Sequence, residues 1–183
     1  MKRAGRIRTA GFAIGQSPVL AIDPGLDTGV SWSLSRTYLA HGAADVATCG
    51  AAALGEFARH FPQGFTRDAP PTAVIEVPRV YPEKREENPN DLITLAIRVG
   101  VYVQTLQSMR WRVLGVEPRE WKGQLPKQAH HARLLRDHRG LAEAVAVNVE
   151  AESKRHNAYD AFGLLVWAYA NRGLVLRDLT KDI

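Results

Sequence analysis

The chain has 183 residues, and its 24 Lys+Arg against 19 Asp+Glu give a formal net charge of +5. At 45% hydrophobic and 23% charged it is an ordinary globular composition, long enough for one domain with a full core. A lone cysteine, Cys49, excludes an intrachain disulfide and a cysteine-rich zinc site. No stretch approaches the ~18 uninterrupted apolar residues of a membrane span, and the positive charge suits a polyanionic partner without requiring one.

The first 17 residues form a basic arm whose apolar stretch is too short and broken for a signal peptide; a cytoplasmic protein is expected. PVLAI, residues 18–22, reads as a buried strand that ends at Asp23-Pro24-Gly25, a turn. VSWSLS after Gly29 alternates apolar and polar as an antiparallel strand does, and residues 37–44 offer a weaker third strand. Residues 51–61 (AAALGEFARHF) read as a helix. TAVIEVP, residues 72–78, is a second buried strand, and it too ends in a carboxylate, Glu76. A polar loop follows, then a long helix over 92–109 that is apolar around much of its circumference, which calls for burial on two sides, against the core or a second subunit. RVLGVEP (112–118) is another short strand, and the remainder is mainly helical. The order of elements gives a mixed α/β layer architecture around a central sheet, in which sites favour the carboxyl ends of strands.

Asp23 and Glu76 occupy such ends. A third carboxylate, Asp160, sits early in the apolar helix within KRHNAYDAFGLLVWAY, with His156 and Asn157 four and three residues before it, on its helical face. Helix-dipole stabilisation in a first turn can explain an aspartate there without function, and turn formation can explain Asp23. Three carboxylates on two strand ends and one helix also suit hard divalent cations, which take oxygen ligands. Two such ions about 4 Å apart clamp a scissile phosphate in two-metal hydrolysis.

DPGLDTG after one strand, IEVP after another, NPND before the long helix, VEPREWKG…PK, and HNAYDA opening the last helix together resemble a RuvC-type Holliday junction resolvase over residues 18–171. The resemblance implies an α/β, ribonuclease H-like mixed five-stranded sheet flanked by helices, with 1–17 a basic arm and 172–183 a polar tail outside the nuclease domain. It implies metal-dependent cutting of branched DNA, above all four-way junctions, with two Mg²⁺ (or Mn²⁺) ions per active site, and a homodimer joined through helix 92–109. Asp23, Glu76 and Asp160 match the family's metal-binding carboxylates. The family places an Asp or His about three residues before the last aspartate; here that position is Asn157, and His156 stands one residue further back. His156 is the favoured fourth catalytic residue, since an imidazole ligates or shuttles protons and an amide does neither well. Asp27 reads as a turn-former.

Lys122 and Lys127 follow the strand ending at Glu117. Lys122 is expected to act at the scissile phosphate, and Lys127 and Arg133, on a basic helix, are expected to contact DNA backbone. Arg79, Tyr81, Lys84 and Arg85 lie in the loop after Glu76, where an aromatic tip suits stacking on unpaired bases. Trp111, Trp121 and Trp167 read as packing residues. Two alternatives stand beside the resolvase: a binding module of the same fold with weakened catalysis, and a nuclease for flaps or forks, because fold alone does not fix substrate.

Overall fold

The computed structural model describes residues 18–25, 27–33, 45–49, 54, 58, 70–79, 88–171 and 177–179, with backbone only at 45–49 and 177. Its strands are β1 (Val19–Asp23), β2 (Thr28–Ser33), β3 (Asp45–Cys49), β4 (Thr72–Glu76), β5 (Arg112–Val116) and β6 (Arg177–Asp178). Its helices are α1 (Pro89–Ser108), α2 (Pro118–Trp121), α3 (Lys127–Asp137), α4 (Leu141–Asn148) and α5 (Arg155–Ala170), the last preceded by a 3-10 turn at Glu152–Lys154. The strands join one sheet in the order β3-β2-β1-β4-β5-β6. The β1–β4 and β4–β5 pairs are parallel, and the β1–β2, β2–β3 and β5–β6 pairs are antiparallel.

A mixed α/β fold with helices against a mixed sheet is therefore present, but the sheet has six strands where five are expected. The sixth comes from the expected polar tail: Arg177–Asp178 pairs with Gly115 and Leu114 of β5, and Asp178 takes an ion pair from Arg112 at 3.4 Å. β3 lies at Asp45–Cys49; the weaker strand expected at 37–44 lies outside the described residues. Of the helix expected at 51–61, Leu54 and Ala58 are described, and both are helical and buried.

Successive side chains of a strand point to opposite faces, and the core divides accordingly. On one face Val19, Ala21, Val74, Leu114 and Val116 pack with α5 residues including Ala158, Phe162, Leu164 and Leu165. On the other, Leu20, Ile22, Ala73, Ile75 and Val113 pack with Val99, Tyr102, Val103 and Leu106 of α1. Truncating any of the buried leucines to alanine costs about 2–5 kcal/mol. Helix α1 starts cleanly because the Asn88 side chain accepts a hydrogen bond from the Asn90 N–H and Pro89 needs no donor at the first position. It buries one side only. Ile93, Ile97 and Val101, spaced four apart, remain 57%, 64% and 48% exposed.

Candidate active site

The register of the central parallel pair places the first two carboxylates. Ile22 of β1 lies opposite Ile75 of β4, so the next residue on each strand, Asp23 and Glu76, ends its strand beside the other. By alternation Asp23 shares the face of Val19 and Ala21, and Glu76 that of Val74, which is the face covered by α5.

Helix α5 brings the third. It lies across β1 and β2, and Tyr169 near its end donates to the Ser33 carbonyl at 2.9 Å. At its start the backbone of Asn157 and Ala158 rests directly on Gly29, the β2 residue paired with Asp23; any Cβ on Gly29 would collide with the Asn157 carbonyl. The second glycine of DPGLDTG is thus a contact requirement. Asp160 falls one turn beyond this contact and is 2% exposed. It is the sixth residue of α5, past the first turn where the helix dipole acts, so the dipole does not account for it.

The electrostatics tie the three together. Burial, then the charges of Glu76 and Asp160, push the Asp23 carboxyl up to about 8, against the opposing pull of Lys122 and Lys127. Burial would also raise Asp160, but hydrogen bonds from His131 and Lys127 and the charges of Lys127 and Lys122 outweigh it and hold the carboxyl below its ordinary range. Lys122 is penalised by burial, yet Glu76, Asp160 and Asp23 together raise it.

The opposite wall is built from α2, α3 and the turn between them. Trp121 Nε1 donates to Glu76 Oε2 at 2.6 Å, and Lys122 Nζ approaches the same oxygen at 3.4 Å. Lys127 Nζ lies 2.7 Å from Asp160 Oδ2, and His131 Nε2 2.8 Å from Asp160 Oδ1. Lys122 and Lys127 thus each reach one of the three carboxylates, Glu76 and Asp160 respectively. Trp121 and His131 are site residues that the sequence does not single out. His131 carries a signal, since it lies four residues from Lys127 on one helical face; Trp121 has only its place beside Lys122.

Other expected residues are exposed or lie outside the described residues. His156 is exposed, and no hydrogen bond or ion pair among the described residues joins it to the three carboxylates. Arg79 is exposed and pairs with Glu117. Arg133 is exposed on α3 and approaches His130 Nδ1 at 3.5 Å. Tyr81, Lys84 and Arg85 fall outside the described residues. Asp27, expected to serve the turn, pairs with Lys154 at 2.8 Å and so ties the β1–β2 turn to the segment before α5.

The donor set suits a hard divalent cation: three carboxylates, of which Glu76 and Asp160, with burial, disfavour the ionised form of Asp23. Among the described residues no three such side chains close on a single point. The reason is visible in the contacts, because Asp160 is turned onto Lys127 and His131 and Glu76 onto Trp121 and Lys122. Proximity and chemistry fit the ion; a metal would share or displace these partners. No helix among the described residues is long and apolar enough to cross a membrane.

No protein-family model matches the chain, and no curated protein matches it. Solved structures do. The chain is similar to Thermus thermophilus RuvC in complex with a Holliday junction substrate, with a TM-score of 0.52 and 13% identity over 89% of this chain and 99% of that one. A structure of Thermus thermophilus RuvC without that description aligns at a TM-score of 0.45 and 15% identity, over 88% and 99% of the two chains. At 13% identity the first likeness is one of fold, and it spans 99% of that chain: this protein has a RuvC-like mixed α/β fold.

Proposed function

We propose that this protein is a metal-dependent, structure-selective DNA endonuclease that resolves four-way junctions by paired symmetric nicks, acting as a homodimer. The observation that carries the reading is the adjacency of Asp23 and Glu76 at the ends of two parallel strands, under a buried Asp160 from the facing helix. The fold is shared with a resolvase whose structure holds a Holliday junction, and the net charge of +5 suits a polyanion.

Asp23, Glu76 and Asp160 are the residues that would hold two Mg²⁺ or Mn²⁺ ions, which when bound supply an activated water and a Lewis acid for the leaving oxygen. Lys122, drawn into the site by all three carboxylates, is placed to offset charge on the scissile phosphate. Lys127, 48% exposed on its side chain, stands at the mouth with Arg133 further along α3, and both are assigned to the DNA backbone with Arg79. Tyr81, Lys84 and Arg85 are assigned to the junction centre from their position in the chain. The Ile93–Ile97–Val101 stripe on α1 supports a two-fold contact, which paired nicking requires.

The test is cleavage of a synthetic four-way junction with Mg²⁺ or Mn²⁺, with linear duplex and flap as controls and Asp23→Asn beside the wild type. Paired symmetric nicks with 3′-hydroxyl and 5′-phosphate ends, absent in Asp23→Asn, are expected. Tight junction binding without metal-dependent cutting of any substrate would replace the enzyme with a binding module. That second reading draws on Asp160, whose two oxygens are both already paired.

A further inference from the structure

Two N–H groups in the wall of the site have no part in the proposed reaction. Trp121 Nε1 donates to Glu76 at 2.6 Å. His131 Nε2 meets Asp160 at 2.8 Å, and because an ionised carboxylate only accepts, this nitrogen carries the proton. The lysines on the same carboxylates are long and partly exposed, so they neutralise charge without fixing a geometry. Trp121 and His131 differ: each has only two side-chain torsions, and each is packed.

The packing is continuous. The Trp121 ring meets His130 edge-on at 5.3 Å and 77°. His130 lies 6.1 Å from His131, which lies 5.4 Å from Tyr159 on α5. His130 is buried against Gly163, where any Cβ would collide with its Nε2, and that nitrogen has no hydrogen-bond partner among the described residues. A buried polar atom left unpaired costs about 1–3 kcal/mol. Two rings of the stack, Trp121 and His131, each deliver an N–H to a carboxylate, one on β4 and one on α5.

We propose that Trp121 and His131 are positioning residues: they fix the rotation of Glu76 and Asp160 in the wall of the site. The assignment rests on the proposed metal-dependent reading of the same site. Groups that orient metal-binding carboxylates commonly govern metal affinity 10–100-fold, and these two do so from elements that carry no proposed ligand.

The experiment compares wild type with Trp121→Phe and His131→Phe, which keep ring bulk and remove the N–H, and with His131→Gln, which restores a donor. Calorimetric titration with Mn²⁺ is expected to show binding weakened about 10–100-fold in both phenylalanine variants and largely recovered in His131→Gln. Junction cleavage is expected to lose kcat with KM unchanged. Melting temperatures that move while Mn²⁺ affinity and kcat stay within about twofold of wild type would reduce both residues to packing and overturn the proposal. A second arm needs neither metal nor variants of the stack. In chelator-treated protein the Trp121 indole N–H resonance is expected to move when Glu76→Gln removes the acceptor's charge, and an unmoved resonance overturns the assignment. Wild type that binds no Mn²⁺ sinks the metal reading of the site, and the indole resonance then decides by itself whether Trp121 holds Glu76.

Discussion

Asp23 and Asp160 are both withdrawn from water, yet the molecule treats their charges in opposite ways. Asp23 is pushed up to about 8 by burial and by Glu76 and Asp160. Asp160, which burial alone would raise, is held low by His131, Lys127 and Lys122. The difference lies in what each element faces. β1 is a central strand between β2 and β4, whose only charged residue is Glu76, whereas α5 faces α3, which offers an ammonium and an imidazole four residues apart. Three acids share the site and the local cations serve two of them. The repulsion among the three therefore falls on Asp23, whose ionised form a divalent ion would favour most.

The largest effect to test is on cleavage. Asp23→Asn is expected to lower junction cutting about 10³-fold or more, since metal-derived stabilisation of the transition state is worth several kcal/mol. The comparison sharpens when the same substitution is made at both aspartates in metal-free protein. Asp23→Asn removes a repelled, desolvated charge and is expected to raise Tm at pH 8. Asp160→Asn leaves Lys127 and His131 facing a neutral amide and is expected to lower stability by about 1–3 kcal/mol, or ~2–4 °C per kcal/mol for a chain of this size. Calorimetry in chelator reads both, and shifts of the same sign would end the distinction between the two sites.

Their pH dependence should differ as well. The folded Asp23 keeps a proton up to about 8 that the unfolded chain releases near 3.8, so the folded state binds more protons in that window. Stability of metal-free protein is therefore expected to fall as pH rises from about 4 to 8 and to level off above, with Asp23→Asn flattening the decline. Asp160 has the opposite sign, because its folded carboxyl is held below 3.8. Its contribution is present above that value and is lost as pH falls below it. Unfolding curves against pH in chelator, for wild type and each variant, separate the two. A flat profile for wild type between pH 5 and 8 would show that Asp23 does not carry the strain assigned to it.

What the sequence made legible is the half of the site borne by strands. Apolar runs that stop at Asp23 and Glu76 announce buried strands, and strand alternation then sets the face. The other half depends on contacts that no local pattern encodes. Trp121 reaches Glu76 across 45 residues and His131 reaches Asp160 across 29, and neither residue type is unusual where it stands. β6 is only two residues long, too short for any period, and is held as an edge by pairing and by Leu179 packed beside Gly115. β3 lies in DVATC, whose Val and Thr favour a strand, but the looser stretch before it competed for the same role. Helix α1 was legible as apolar around much of its circumference, and its stripe of Ile93, Ile97 and Val101 is the part that the described core leaves exposed.

The smallest expected effect concerns Lys127, and it bears most directly on why the two aspartates differ. Its ammonium lies 2.7 Å from Asp160 and its side chain is 48% exposed, so water screens much of the pair. Lys127→Met keeps the aliphatic stem and removes the charge. Asp160 would retain His131 as a hydrogen-bond donor and Lys122 as a nearby charge, so the expected loss in metal-free protein is about 1 kcal/mol or less. The direction of the acid limb is the more telling measurement. With one of its supports gone, Asp160 should take up its proton at higher pH, and the acid-side fall in stability should begin earlier than in wild type. An acid limb that does not move would leave His131 as the chief reason Asp160 stays ionised, and would make the imidazole, rather than the lysine, the feature that sets the helix-borne aspartate apart from the strand-borne one.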